Sequence, residues 1–308
     1  MTKYIFRRLL GMIPTLLIII TLSFFIVRIA PGGPFDGERA LPEAVKANIE
    51  AKYHLDEPVL QQYGRYLFDV VRGDLGPSYK YKDNDVNYYI FTSLPNSAVL
   101  GSIAIILALS FGILFGVLAA LYQNTWIDYL TMGVAVIGIS VPLFVIGPVL
   151  QLVFAMNLGW FPTSGWYSTG EGWTSVVLPA LSLSFAYFAT IARLTRSSML
   201  DTLRSDYIRT AKAKGMKNST IIIKHAMKGA LLPVVSYLGP AFAGVITGSI
   251  VIEQVFRVPG IGKFFIQSSF NRDYTLIIGV VIVFSVILVI MNFLVDIVYA
   301  LLDPRIAY

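Results

Sequence analysis

The sequence contains no cysteine, and only two of its 308 residues are histidine. Without cysteine the chain can form neither a disulfide bond nor a thiolate metal site. The two histidines, His54 and His225, are far apart in the sequence and do not suggest a shared metal ion. We therefore expect no metal site and no cofactor in this chain.

Charge is also scarce. Charged residues make up 14% of the chain, 56% of the residues are hydrophobic, and the mean hydropathy is +0.70. A soluble protein needs more polar surface than this, so lipid is the expected surroundings of most of the chain. The net charge is +6, but the basic residues flank apolar runs and do not form a basic and aromatic surface. Nucleic acid is therefore not an expected partner.

Motifs for nucleotide hydrolysis or covalent catalysis are missing as well. Gly262-Lys263 is followed by Phe264, where a phosphate-binding loop needs Ser or Thr. No nucleophile–base pair and no pair of carboxylates lies within an apolar run. The sequence therefore predicts that the chain is not an enzyme.

Long apolar runs are what the sequence has in abundance, and each is close to the roughly 20 residues that cross a bilayer. The first run follows Arg7 and Arg8, and it is too long for a signal peptide, so it is predicted to be an uncleaved span. Basic flanks place both termini in the cytoplasm. The prediction is an all-α polytopic membrane protein with six transmembrane helices, at about 9–30, 97–122, 129–156, 174–192, 229–252 and 275–301.

Several residues inside these spans have predictable effects. Pro142 and Pro148 should kink the third span, because proline lacks the backbone N–H that a helix requires. Gly112-x-x-x-Gly116 allows another helix to approach closely. Asp296, in the inner part of the last span, is either a packed structural aspartate or a proton or ion site.

Two segments are predicted on the outer side. The segment 31–96 should form two short helices and a loop, and this cap either packs over the bundle or receives an extracytoplasmic partner. The expected apolar faces of its helices are Val45, Ile49 and Tyr53, and then Leu60, Tyr63, Leu67 and Val71. The loop 157–173 carries Trp160, Trp166 and Trp173, which are typical of the headgroup zone. Arg28, at the outer end of the first span, is expected to extend to the headgroups.

A basic segment, 193–228, separates the fourth and fifth spans and is predicted to form a helix–turn–helix in the cytoplasm. Ser205 is placed to cap a short helix, and Asp206 suits the positive end of its dipole. Gly215 should end this helix in the left-handed conformation. A second helix is expected from Asn218 or Ser219 up to Pro233.

The glycine at this distance from the following proline resembles the EAA loop of ATP-binding-cassette importer permeases. Thr210, Ala211 and Gly215 occupy positions of that motif, while Arg209 stands where the motif has glutamate. The resemblance extends along the chain through AKYHLDEPVLQQYGRYLFDVVRGDLGPS and VIEQVFRVPGIGKFF, and it is to permeases of bacterial oligopeptide importers. It implies coupling to an ATPase through Tyr207, Ile208, Arg209, Thr210, Ala211, Ala213 and Gly215.

The same resemblance implies a type I importer permease fold in the bacterial inner membrane. The expected partners are a homologous second permease, two ATPase subunits that hold the ATP and Mg²⁺, and a periplasmic peptide-binding protein. The domain prediction is a first span (1–30), a periplasmic cap (31–96) and a permease core (97–308). A stand-alone secondary transporter or channel, or a dipeptide or nickel importer permease, is the alternative.

Overall fold

The computed structural model describes residues 2–29, 54–81 and 84–302. This part of the chain is mainly helical, and its isolated β-bridge joins Pro77 to Asp85. In chain order the helices are α1 (Thr2–Ile29), α2 (Val59–Val71), α3 (Val86–Leu121), α4 (Trp126–Ser140), α5 (Leu143–Leu150), α6 (Thr174–Leu203), α7 (Asp206–Ala213), α8 (Asn218–Ala230, π-helical at Ile221–Ala226), α9 (Leu232–Phe256), α10 (Gly262–Asn271) and α11 (Tyr274–Leu302).

Helices long and apolar enough to cross a membrane confirm the predicted fold class. Within the described ranges there are four of them, at Phe6–Ile29, Val86–Leu121, Thr174–Leu203 and Tyr274–Tyr299. Two bent pairs also qualify if each is one span, namely Trp126–Ser140 with Leu143–Asn157 and Asn218–Ala230 with Leu232–Ile246. Counting these pairs gives up to six spans, which agrees with the predicted number.

The third predicted span is broken at Pro142, where the helix axis bends by 112°. α4 ends at Ser140 because Val141, which precedes the proline, is extended, with φ −90° and ψ 124°. Pro148 lies inside α5, and the chain then continues as the π-helix Gln151–Asn157. The predicted kink at Pro142 is therefore confirmed.

Two helices are longer than the spans predicted from the sequence. α3 begins at Val86 instead of near Ser97, and α6 continues to Leu203 instead of stopping near Ala192. Hydropathy marks only the lipid-facing length of a helix, whereas backbone hydrogen bonds continue it into polar sequence. As a consequence, the basic residue Arg196 lies on a helix that begins as a membrane span.

The described chain forms two compact units. The N-terminal unit contains Thr2–Asn96 and Pro259–Val289, and the core unit contains Ser97–Val258 and the chain from Ile290 onward. The sequence had assigned 259–289 to the permease core, whereas the contacts group it with the N-terminal unit.

Helix α6 is the centre of the core unit, and α3 crosses it through two glycines. A Cβ atom added at Gly112 would be 2.7 Å from Cγ2 of Ile191, and one at Gly116 would be 2.5 Å from Cβ of Thr195. No side chain fits at such distances. The absence of side chains at Gly112 and Gly116 therefore lets α3 and α6 come into direct contact. The close approach predicted from Gly112-x-x-x-Gly116 is confirmed.

The tryptophans of the loop 157–173 have different surroundings. Trp160 and Trp173 are 64% and 63% exposed, and the ring of Trp173 stacks on Tyr167 at 4.4 Å. Trp166 is fully buried in the core unit, so its ring packs inside the protein. In the same unit Asp296, on α11, is half-buried.

In the N-terminal unit, the buried side chain of Asp273 fixes the start of α11. It accepts hydrogen bonds from the backbone N–H groups of Tyr79 at 3.2 Å and Leu276 at 3.3 Å, and from the hydroxyl of Ser78. These bonds satisfy the carboxylate, which would otherwise be costly to bury. The segment after α2 is thereby tied to the first turn of α11.

The helix predicted over Leu60, Tyr63, Leu67 and Val71 is present as α2. Its packed face differs from the prediction, since Tyr63 and Leu67 pack on the core of the N-terminal unit while Leu60 and Val71 are 75% and 81% exposed. The other predicted helix, with Val45, Ile49 and Tyr53, lies outside the described residues.

Candidate functional site

The short helix α7 forms as the sequence predicts. Ser205 occupies the N-cap position with extended backbone, Asp206 is in the first turn, and Gly215 follows the helix with φ +74°. This left-handed backbone suits glycine, which has no Cβ to clash. The hydroxyl of Ser205, however, donates to the carbonyl oxygen of Thr202 at 2.6 Å and does not cap α7.

One face of α7 is buried in its own chain. Ile208 is fully buried and Ala211 is 7% exposed. They belong to a hydrophobic cluster whose other buried members are Ala120, Met199, Ile221, Ala226 and Ala230. The resemblance named Ile208 and Ala211 among the coupling residues; in the structure their side chains attach α7 to the ends of α3 and α6 and to α8.

The opposite face of α7 is open. Of the residues singled out from the sequence, Tyr207, Arg209, Thr210, Ala213 and Gly215 are exposed. We call this set the open face. It combines a half-exposed aromatic ring with small residues, so a partner surface can approach the helix closely. The charged residues Asp206, Lys212 and Lys214 beside it are exposed as well.

Tyr207 is held at one edge of the open face by α8. The ring is 51% exposed, and its hydroxyl lies where a Cβ of Gly229 would come within 3.0 Å. A larger residue at position 229 would therefore displace the tyrosine. Near it, Arg209 reaches Asp206 at 3.3 Å, an exposed ion pair of small energetic value.

Sequence reasoning missed an ion pair that supports this region. Nε of Arg196 on α6 is 2.6 Å from Oδ1 of Asp128 on α4, and Nη2 is 2.6 Å from Oδ2. Asp128 is 2% exposed and also accepts the backbone N–H of Asn124 at 3.0 Å. Charges next to apolar runs were the available clue, since buried charges in membrane proteins are usually paired.

The chemistry available at this site is that of protein contact. Among the described residues no group of three or more His, Asp or Glu side chains is placed to hold a metal ion. The open face offers an aromatic ring, hydrogen-bond donors and positive charge, and the buried face keeps the helix in place. Such a surface can receive another protein and transmit a displacement to α6 and α8.

Helices apolar and long enough to cross a membrane, together with the short amphipathic helix α7 held by its buried face, are the features of a polytopic membrane protein. Residues 112–308 match the family described as binding-protein-dependent transport system inner membrane component, and residues 1–101 match the N-terminal region of such components. The chain belongs to this family.

Curated relatives match over the whole length. The oligopeptide transport system permease protein OppB of Salmonella typhimurium is 52% identical over 308 residues, and that of Haemophilus influenzae is 51% identical, each with full coverage of both chains. The dipeptide transport system permease protein DppB of Bacillus subtilis is 47% identical, covering 99% of this chain and 98% of its own.

A solved structure shares the fold. A chain of the MetNI methionine ABC transporter in inward-facing conformations superposes with a TM-score of 0.56, covering 70% of this chain and 97% of its own. The sequence identity is 14%, so this match bears on the fold alone.

Proposed function

We propose that the chain is the membrane-spanning permease subunit of an ATP-driven importer that moves oligopeptides into the cytoplasm. Relatives at 51% and 52% identity over the full length are oligopeptide permeases, which favours this substrate class over the dipeptides of the relative at 47%. The observation that carries the mechanism is the anchored helix α7, with Ile208 buried and the open face exposed.

The proposed complex contains this chain, a homologous second permease, two ATPase subunits and a periplasmic peptide-binding protein. ATP and Mg²⁺ belong to the ATPase subunits, because this sequence has no phosphate-binding loop. The complex lies in the bacterial inner membrane, with both termini of this chain in the cytoplasm. Basic residues around α7 support this orientation through the positive-inside rule.

In the proposed mechanism an ATPase subunit holds the open face of α7 in a groove. Burial of the Tyr207 ring there contributes up to about 1.5–3 kcal/mol. A movement of the ATPase is then passed through Ile208 and Ala211 to the helices that pack on them. Because these contacts are within close-packed apolar clusters, α7 moves with α6 and α8 and does not slide over them.

The test is a substitution on the open face that leaves the buried face unchanged. Ala213→Trp adds a large ring at an exposed position, so the permease should fold and insert normally. Reconstituted with the ATPase subunits and the binding protein, it should lose ATP-driven peptide uptake, through weaker ATPase binding or through hydrolysis uncoupled from transport. Ala213→Ser, which keeps the size small, is the matched control and should behave like the wild type.

Uptake and ATP hydrolysis are measured side by side on the same proteoliposomes. Wild-type uptake by Ala213→Trp would mean that α7 does not couple to the ATPase. Peptide uptake that needs no ATP and no second subunit would instead identify a stand-alone secondary transporter or channel.

A further inference from the structure

The N-terminal unit contains a cavity of about 160 Å³ between α1, α2 and the first turn of α11. The residues that matter for its chemistry are Arg28, Gln62, Arg65, Tyr66 and Asp69. An apolar cavity of similar volume, about 150 Å³, holds a molecule the size of benzene. The cavity is thus large enough for a small chemical group, and its lining is partly polar.

Arg28 does not extend away from the protein as the sequence suggested. Its guanidinium carbon lies 3.5 Å from the centre of the Phe24 ring, and its Nη1 donates to the Phe24 carbonyl oxygen at 3.3 Å. Its Nη2 and Nε donate to Oε1 of Gln62 at 3.2 and 3.4 Å. The cation is therefore turned inward and fixed on the cavity wall.

Gln62 is itself held in the orientation that Arg28 requires. Its side-chain nitrogen donates to the carbonyl oxygens of Leu55 at 3.2 Å and Glu57 at 2.8 Å. The amide oxygen must then point to the guanidinium. Two backbone carbonyl groups thus fix the Gln62 side chain, and Gln62 in turn fixes the guanidinium of Arg28. Such a chain of hydrogen bonds is more specific than a single surface contact.

Among the residues that the structure describes, the positive charge of Arg28 is not matched by a direct ion pair. In the described ranges no carboxylate lies within 4.0 Å of its guanidinium, and its partners are neutral oxygens and a ring. Arg65, by contrast, pairs with Glu57 at 2.7 Å. Asp69 lines the cavity without an ion pair to Arg28. Half-buried cations are usually compensated. Within the described ranges, the hydrogen bonds of Arg28 use three of its five guanidinium N–H groups and leave two.

Tyr66 supplies a second unused donor on the same cavity. Its hydroxyl is buried and has no hydrogen-bond partner among the described residues. Like any tyrosine it keeps its proton at neutral pH, and burial raises the pKa of Tyr66 further above its usual value. The centre of its ring lies 5.7 Å from the centre of the Phe24 ring, over which the Arg28 guanidinium is placed.

We propose that this cavity binds one small oxyanion, a carboxylate or a phosphate, which takes the free N–H groups of Arg28 and the hydroxyl of Tyr66. Such a ligand would supply the missing negative charge and the missing acceptor together. It can come from a free anion or from the phosphate of an anionic phospholipid, since Leu22 and Ile26 expose apolar side chains along α1. This site is independent of the coupling surface on α7.

The experiment measures the unfolding temperature of the full chain, with the subunits that co-purify, in a maltoside detergent. In one arm sodium chloride is replaced by sodium phosphate or acetate at constant ionic strength. In the other, phosphatidylglycerol is compared with diacylglycerol of the same acyl chains, which lacks the phosphate. We expect a rise of several degrees in at least one arm, and the arm that responds identifies the source of the oxyanion.

Variants connect the effect to the cavity. Tyr66→Phe and Arg28→Gln should abolish the rise, and Arg28→Lys should keep part of it. Tyr63→Phe is the matched control, because Tyr63 lies on the same helix and its hydroxyl bonds to Thr21 at 2.7 Å, outside the cavity. It should keep the full rise.

The absence of any rise in both arms for the wild type overturns the proposal. A rise that persists in Tyr66→Phe also overturns it, and this removal of one oxygen decides the question even if Arg28→Gln does not fold. Equal loss of the rise in Tyr63→Phe and Tyr66→Phe would assign the effect to general destabilisation, and would likewise refute the site.

Discussion

The guanidinium of Arg196 donates two hydrogen bonds, each 2.6 Å long, to the carboxylate of Asp128, although the two residues are 68 positions apart in the sequence. The pair joins the first turn of α4 to α6 two turns before α6 ends at Leu203. The chain then enters α7 within three residues. The ion pair thus fixes the helix from which the proposed coupling surface projects.

Removal of one partner of this pair should destabilise the core unit. Asp128→Asn keeps the shape of the side chain but leaves the guanidinium without its counter-charge. Breaking a fully buried pair costs about 3–5 kcal/mol, and the cost here should lie at or below the lower end because Arg196 is 26% exposed. The measurement is the unfolding temperature of the purified permease, which should fall.

An exposed pair on α7 gives the control for that measurement. Asp206 and Arg209 have side chains that are 95% and 74% exposed. Asp206→Asn should change stability by no more than about 0.5 kcal/mol. Equal effects at the two aspartates would contradict the view that burial makes the Asp128 pair important.

The crossing of α3 and α6 should not tolerate a methyl group at Gly116. Its Cβ would lie 2.5 Å from Cβ of Thr195 and 2.6 Å from the carbonyl oxygen of Ala192. Gly116→Ala should therefore push the helices apart and cost about 1–3 kcal/mol. Thermal unfolding in detergent measures this loss.

Gly133 is the control, because the same glycine-to-alanine substitution can be made there away from any contact between helices. It lies inside α4, and a Cβ there would have no atom within 4 Å. Gly133→Ala should be neutral or stabilising by about 0.5–1 kcal/mol, because alanine favours a helix. A destabilisation as large as that of Gly116→Ala would mean that helix contact is not the cause.

Gly215 should be sensitive to backbone conformation and not to space. Its φ is +74° and no atom lies within 4 Å of an added Cβ. Gly215→Val should add about 1–3 kcal/mol of local strain, and the variant should still fold but transport less peptide per ATP hydrolysed. Gly215→Asn, a residue that accepts positive φ, should remain near wild type. An equal loss of transport in both variants would mean that a partner contacts Gly215 closely and that any side chain there prevents this contact.

Ala211→Trp should affect the stability of the permease as well as its transport. If Ala211 contacted the ATPase, as the resemblance of the sequence implies, a tryptophan there would overfill that contact. Ala211 faces Ile208 and the cluster inside its own chain, so the ring should disrupt the anchoring of α7. We expect a lower unfolding temperature together with lost transport, whereas Ala213→Trp should lose transport at an unchanged unfolding temperature.

Membrane topology can be measured with reporter fusions. Basic residues flank the first span and fill the segment around α7, so fusions after Lys214 and Tyr308 should report the cytoplasm. Fusions after Asp83 and Gly170 should report the outer side. A cytoplasmic signal after Asp83 would contradict six spans with both termini inside.

The sequence alone determined the helices and several of their ends. Apolar runs identified the spans, Pro142 located a break, and Gly215 located the end of α7. Each of these features depends on neighbouring residues, through hydropathy, the missing proline N–H and the freedom of glycine at positive φ. The residues of the coupling helix could be named from the sequence, but the buried ones could not be distinguished from the exposed ones.

Tertiary structure decided which face of α7 is buried. In a helix of eight residues, Tyr207, Ile208 and Ala211 are all suitable for either face, and the choice depends on Ala120 and Met199, which come from other helices. In the same way, Asp128 finds Arg196 only because α4 and α6 pack together. Partners distant in sequence decide which apolar side chain is buried and which charge is paired, so local sequence cannot determine either.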